Sequence, residues 1–91
     1  MEYKKIDEYI GNELYKARVV KRITQEQITE IINKKLKKFD ISITRQSYSY
    51  YERGEVSIPQ GVLEVVCDEL GLDWKKIFTE AVDYMKEGIC K

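Results

Sequence analysis

Apolar side chains recur at three- and four-residue spacing along nearly the whole chain, and that periodicity commits it to helices. Tyr3, Ile6, Ile10, Leu14 and Ala17 form the first stripe, which predicts a helix from about Asp7 to Lys21. After a break at Arg22-Ile23, Thr24 stands three residues before Gln27, a capping box that opens a second helix with Ile28, Ile31, Ile32 and Leu36. Residues 33 to 43 contain neither glycine nor proline, so this helix is expected to run on for a turn or two before turning near Asp40 to Ile43. Thr44 and Gly54 cap a short third helix. The loop Glu55-Val56-Ser57-Ile58 is extended, because the residue before Pro59 is pushed out of the α region. Pro59 falls in the first turn of a fourth helix that carries Val62, Leu63, Val66, Cys67 and Leu70 and stops at Gly71. Asp73 caps a fifth, whose stripe is Trp74, Ile77, Phe78, Ala81, Tyr84 or Met85, and Ile89. The expected fold class is all-α: five helices in one domain over residues 1–91, with an extended segment between the second and third.

A chain of 91 residues that is 43% hydrophobic can bury one core without disulfide or metal staples. No apolar run approaches the roughly 20 residues needed to cross a bilayer, and Met1-Glu2-Tyr3-Lys4-Lys5 is followed by no apolar signal region. Cys67 lies in an apolar helical pattern and Cys90 next to the last residue, so neither suggests a disulfide framework; a reducing cytoplasm is the expected compartment. Formal charge sums to zero but is unevenly placed. Residues 16–53 hold ten cations against four anions, whereas 1–15 carry −2 and 54–91 carry −4. A basic middle with acidic flanks turns one face toward a polyanion and keeps the other away from it.

The basic middle contains the short third helix, and its two faces differ. Tyr48 and Tyr51, three apart, form a packing side, while the other side carries Arg45, Gln46, Ser49 and Tyr50. Arg and Gln together in a first turn are the residue types that bond bidentately to guanine and adenine edges in a major groove. These four are the candidate base readers, and Ser47 and Arg53 are candidates for phosphate or sugar contacts. The plain alternative is a solvated polar face.

Taken in order, these signals resemble the phage-repressor type of helix-turn-helix domain, the lambda repressor/Cro-like or XRE family. The resemblance spans about Ile10 to Phe78: Ile10-Gly11 with Leu14 and Arg18; Ile23 to Ile28; Thr44 to Gly54; Pro59 to Leu63; Leu70-Gly71-Leu72; and Trp74 to Phe78. It implies a lambda-repressor-like fold with a core at about residues 6–79 and a sequence-specific DNA-binding transcriptional regulator that blocks a promoter as a dimeric repressor. It also implies that Arg18 and Glu52 form a partly buried ion pair joining the first helix to the end of the third. A carboxylate on the packing side next to Tyr51 needs such a partner. The resemblance further gives Gln25 a phosphate contact at the second helix's N-terminus, beside its capping role. Two departures stand out. About nine extra residues separate the Thr24-Gln25-Glu26 opening from the third helix, and Thr29 stands where the family has a smaller residue at the helix crossing.

The extra segment brings in Lys34, Lys35, Lys37 and Lys38, which suit either DNA-backbone contacts or the solvated face of a helix extension anchored by Leu36 and Phe39. Ala81, Val82, Met85 and Ile89 on the fifth helix, in the stretch of about 80–91, are candidate homodimer contacts; the alternative is internal packing. With no histidine and no cysteine pair at metal-ligand spacing, no enzyme, metal or cofactor chemistry is legible, nor is a small-molecule ligand or a membrane partner. The rival reading is an antitoxin or protein-interaction module on the same fold, its acidic C-terminal half binding a basic protein.

Overall fold

The computed structural model describes the backbone of residues 2–89 and the side chains of residues 5–87. Five α-helices follow one another: α1 (Glu2–Val20), α2 (Gln25–Leu36), α3 (Arg45–Arg53), α4 (Gln60–Leu70) and α5 (Trp74–Ile89), with a single 3-10 turn at Lys37–Phe39. No strand occurs among the described residues. The first helix begins five residues earlier than its stripe predicts. Nothing between Glu2 and Ile6 breaks a helix, and Ile6, only 8% exposed, gives the extra turn a buried anchor. The side chains of Tyr3 and Ile89, assigned above to stripes, lie outside the described residues, as does Cys90.

Capping fixes the boundaries. Thr24 accepts from the Gln27 amide while the Gln27 side chain accepts from the Thr24 amide, closing the predicted box at 3.0 and 2.9 Å. Thr44 accepts from the Ser47 amide at 3.0 Å. Pro59 is the N-cap of α4 rather than part of its first turn, with ψ at 143°, so its fixed φ sets the entry of the helix from outside it. At the other ends, four left-handed residues, Arg22, Asp40, Gly54 and Gly71, terminate α1, the 3-10 turn, α3 and α4. In each case the next amide reaches back to a carbonyl five residues earlier: Ile23 to Arg18, Ile41 to Leu36, Glu55 to Tyr50 and Leu72 to Cys67.

The helices close around Leu14, Ile28, Ile32, Tyr48, Val66 and Cys67, none of which is measurably exposed. Helix α1 lies across α3, α4 and α5, and α2 packs on α3 and α4. Gly11 makes the α1–α3 crossing possible: a Cβ there would stand 2.4 Å from the carbonyl oxygens of both Tyr51 and Glu52. Gly54 serves the same crossing, since its φ of +70° favours glycine and a Cβ would meet the Glu8 Cα at 2.7 Å. Thr29 is 6% exposed and donates its hydroxyl to the Gln25 carbonyl at 2.7 Å, so it satisfies its polar atom within its own helix.

The fifth helix corrects one expectation. Ala81 is fully buried in the core of its own chain, so it cannot be a dimer contact in this structure. Val82 and Met85 are half-buried against the same core, which therefore reaches beyond residue 79. Helix α5 packs mainly on α1, and of its apolar stripe Phe78 and Tyr84 stay about half exposed.

Candidate functional site

Three elements meet at the C-terminal end of α3. Glu52 accepts from Arg18 Nε at 2.6 Å, from Arg18 Nη2 at 3.0 Å and from Gln25 Nε2 at 3.0 Å, and Arg18 Nη1 donates to the Ile23 carbonyl at 2.8 Å. The guanidinium also stacks 5.6 Å from the Tyr15 ring centroid. With side chains 11% and 3% exposed, the expected Arg18–Glu52 pair is a largely desolvated joint between α1, the α1–α2 turn, α2 and α3. Its hydrogen bond to Glu52 raises the Arg18 pKa, so the guanidinium stays charged. The Tyr48 hydroxyl is buried beside this joint with no hydrogen-bond partner of good geometry. Burial, and then the nearby Glu52 charge, push its pKa far above that of a free tyrosine.

In the first turn of α3 Arg45 and Gln46 are exposed, Arg45 ahead of the buried stripe and Gln46 on the opposite side, and Ser47, Ser49 and Tyr50 are half-buried. Gln46 donates to the Tyr50 hydroxyl at 2.8 Å, and the Arg53 guanidinium lies 5.1 Å from the Tyr50 ring centroid. Tyr50 is thus clasped between neighbours one turn before and three residues after it. Arg53 is shared with Glu55 at 3.3 Å. Ser47 accepts from the Thr44 hydroxyl at 3.1 Å, so it belongs to the cap.

The remaining candidates separate. The Gln25 side chain gives one of its two Nε2 hydrogens to Glu52, which leaves the second, with the backbone amides of that first turn, for an anion. Lys35 pairs with Glu69 of α4 at 2.9 Å, and the Lys38 ammonium sits 5.1 Å from the Phe39 ring centroid. Lys34 and Lys37 line a cleft beside the segment leading to α3, together with Glu30 and Asp40. Lys34, Lys35 and Lys38 line a second cleft with Glu64 and Asp68 of α4, so the cluster is divided between two clefts that each hold acids as well.

Asn33, to which the sequence drew no attention, controls the extra segment. Its Nδ2 donates to the Ile43 carbonyl and its Oδ1 accepts from the Ile43 amide, both at 2.8 Å. The amide side chain imitates a strand partner and fastens the entry of α3 to α2. An asparagine in a run free of glycine and proline was the available signal, but its partner ten residues on is fixed only by the left-handed turn at Asp40. Comparison with protein-family models, curated proteins and solved structures gives no match to this chain.

Proposed function

We propose that the chain is a sequence-specific, double-stranded-DNA-binding regulator of transcription, with a lambda-repressor-like fold, that represses by occupying a promoter. One observation carries the reading. Helix α3 presents Gln46, Tyr50 and Arg53 along one outer face and Arg45 to solvent in its first turn, while Tyr48 and Glu52 are fully and almost fully buried. An anchored short helix with a polar, hydrogen-bonding outer face suits insertion into a major groove. The basic charge of residues 16–53 supports the same orientation. In this proposal two copies bind half-sites about 34 Å apart, pairing through a surface that does not include Ala81.

Selection of bound sequences from a random DNA pool tests the proposal. Enrichment of a palindrome is the expected outcome, and recovery of no enriched sequence would overturn it. A protein-interaction module is the second reading. It is favoured by Phe39 and Ile41, which stay 58% and 46% exposed and line an apolar hollow with Leu36, Ile43, Pro59 and Val62. Absent or salt-insensitive DNA binding would decide for that reading.

A further inference from the structure

A pocket of about 310 Å³ opens between α1, the α3–α4 loop, α4 and α5, away from the outer face of α3. Its apolar floor is Ile6, Ile10 and Leu63, each at most 8% exposed, and Trp74 and Phe78 of α5 form an aromatic wall. The polar groups in the lining are Asp7, Ser57 and Gln60. Ser57 Oγ donates to Asp7 Oδ2 at 2.6 Å, and a carboxylate that has accepted one hydrogen bond keeps capacity for more. The volume stands at the lower end of small-ligand sites, roughly 300 to 1,000 Å³. An apolar cavity with an aromatic wall selects a flat ring, which packs offset or edge-on against indole and phenyl groups. Among the described residues the lone charge in the lining is a carboxylate, so the complementary ligand brings a cationic donor, and an anionic one would be repelled.

We infer that this pocket is a binding site for a small aromatic amine, its ring against Trp74, Phe78 and the aliphatic floor and its ammonium on the Asp7 carboxylate. The site is independent of the DNA-binding proposal.

The chain has one tryptophan, and it lines the pocket, so its fluorescence reads occupancy directly. Phenethylamine, which does not absorb where tryptophan is excited, is the probe, titrated into the full chain with phenethyl alcohol as its neutral counterpart. Expected is a saturable change in Trp74 emission with a Kd of about 1 mM, the level a ligand of this size reaches. The alcohol should bind about fivefold more weakly, the worth of a partly exposed ion pair. Asp7→Asn, which keeps an acceptor for Ser57, should abolish the preference for the amine, and Phe78→Ala should weaken both ligands. Three results would overturn the inference: no saturable change in emission, equal affinity of the wild-type chain for amine and alcohol, or binding to Tyr3→Ala but not to the wild type. The last would assign the space to the chain's own Tyr3.

Discussion

Glu52 accepts three hydrogen bonds from two other segments of the chain, so a change of one atom there acts on the whole fold. Replacing it with glutamine keeps the shape but turns an acceptor into an NH₂ group beside a buried guanidinium. Glu52→Gln should cost about 2 kcal/mol and lower the melting temperature by roughly 10 °C; an unchanged melting curve would refute the joint's structural role. The neighbouring Tyr48 gives a pH signature. Its folded pKa is raised, so it stabilises the fold fully below the unfolded tyrosine value of about 10 and loses that contribution as pH rises past it, because only the unfolded chain ionises easily. Chemical denaturation between about pH 9 and 11 should therefore show a steeper loss of stability for the wild type than for Tyr48→Phe. The pairing of Arg18 with Glu52 was legible through the family resemblance and through the cost of an unpaired carboxylate. The bond from Gln25 to the same carboxylate was not legible, because a polar residue at a helix start looks the same whether it faces solvent or bends back to a neighbour.

Among the elements, the positions of the helix ends were readable, and the backbone geometry that makes two of them was not. Thr24, Thr44, Gly54 and Gly71 cap where their residue types suggest. Arg22 and Asp40 adopt the same left-handed conformation with φ of 59° and 60°, although propensity favours glycine there. The segment after α2 is accordingly a folded clasp, where the sequence indicated only a lengthened helix and a turn. Asn33→Ala removes both hydrogen bonds to Ile43 and should destabilise the fold by about 1 to 3 kcal/mol. Faster amide hydrogen exchange at Ile43 should accompany the loss, and an unchanged exchange rate would show the clasp to be dispensable. Gly11→Ala tests the α1–α3 crossing. A methyl group 2.4 Å from two carbonyl oxygens must push the helices apart, at a cost of about 3 kcal/mol.

At the scale of the whole molecule, the proposed DNA face and the lysines make separable predictions. Arg45→Ala or Gln46→Ala should cost about 1 to 3 kcal/mol of DNA affinity and relax base preference locally, as read by competition between related sequences. Replacing Lys34 and Lys37 together should lower the slope of affinity against salt by about two, while Lys35→Ala should leave it unchanged, since that ammonium is engaged with Glu69. A wild-type slope in both variants would show that Lys34, Lys35 and Lys37 make no phosphate contact. Charge order along the chain was visible in the sequence, but which lysines are free was not, because their partners belong to other helices. The amine pocket was equally hidden, its walls coming from three helices and a loop that only tertiary packing assembles. The anchoring of α3 is also unequal along its length. At one end Gly11, Gly54 and Glu52 grip it against α1, Tyr48 fixes its middle in the core, and the first turn is held by the Thr44 cap and the clasp at Ile43. A rod of nine residues, roughly 14 Å long, that is held this way has its least restrained end at the first turn, where Arg45 and Gln46 are exposed. A tilt of about 10° would leave Arg53 almost in place and carry Arg45 on the order of 2 Å, so the first-turn side chains are the ones with latitude to adjust to what they touch.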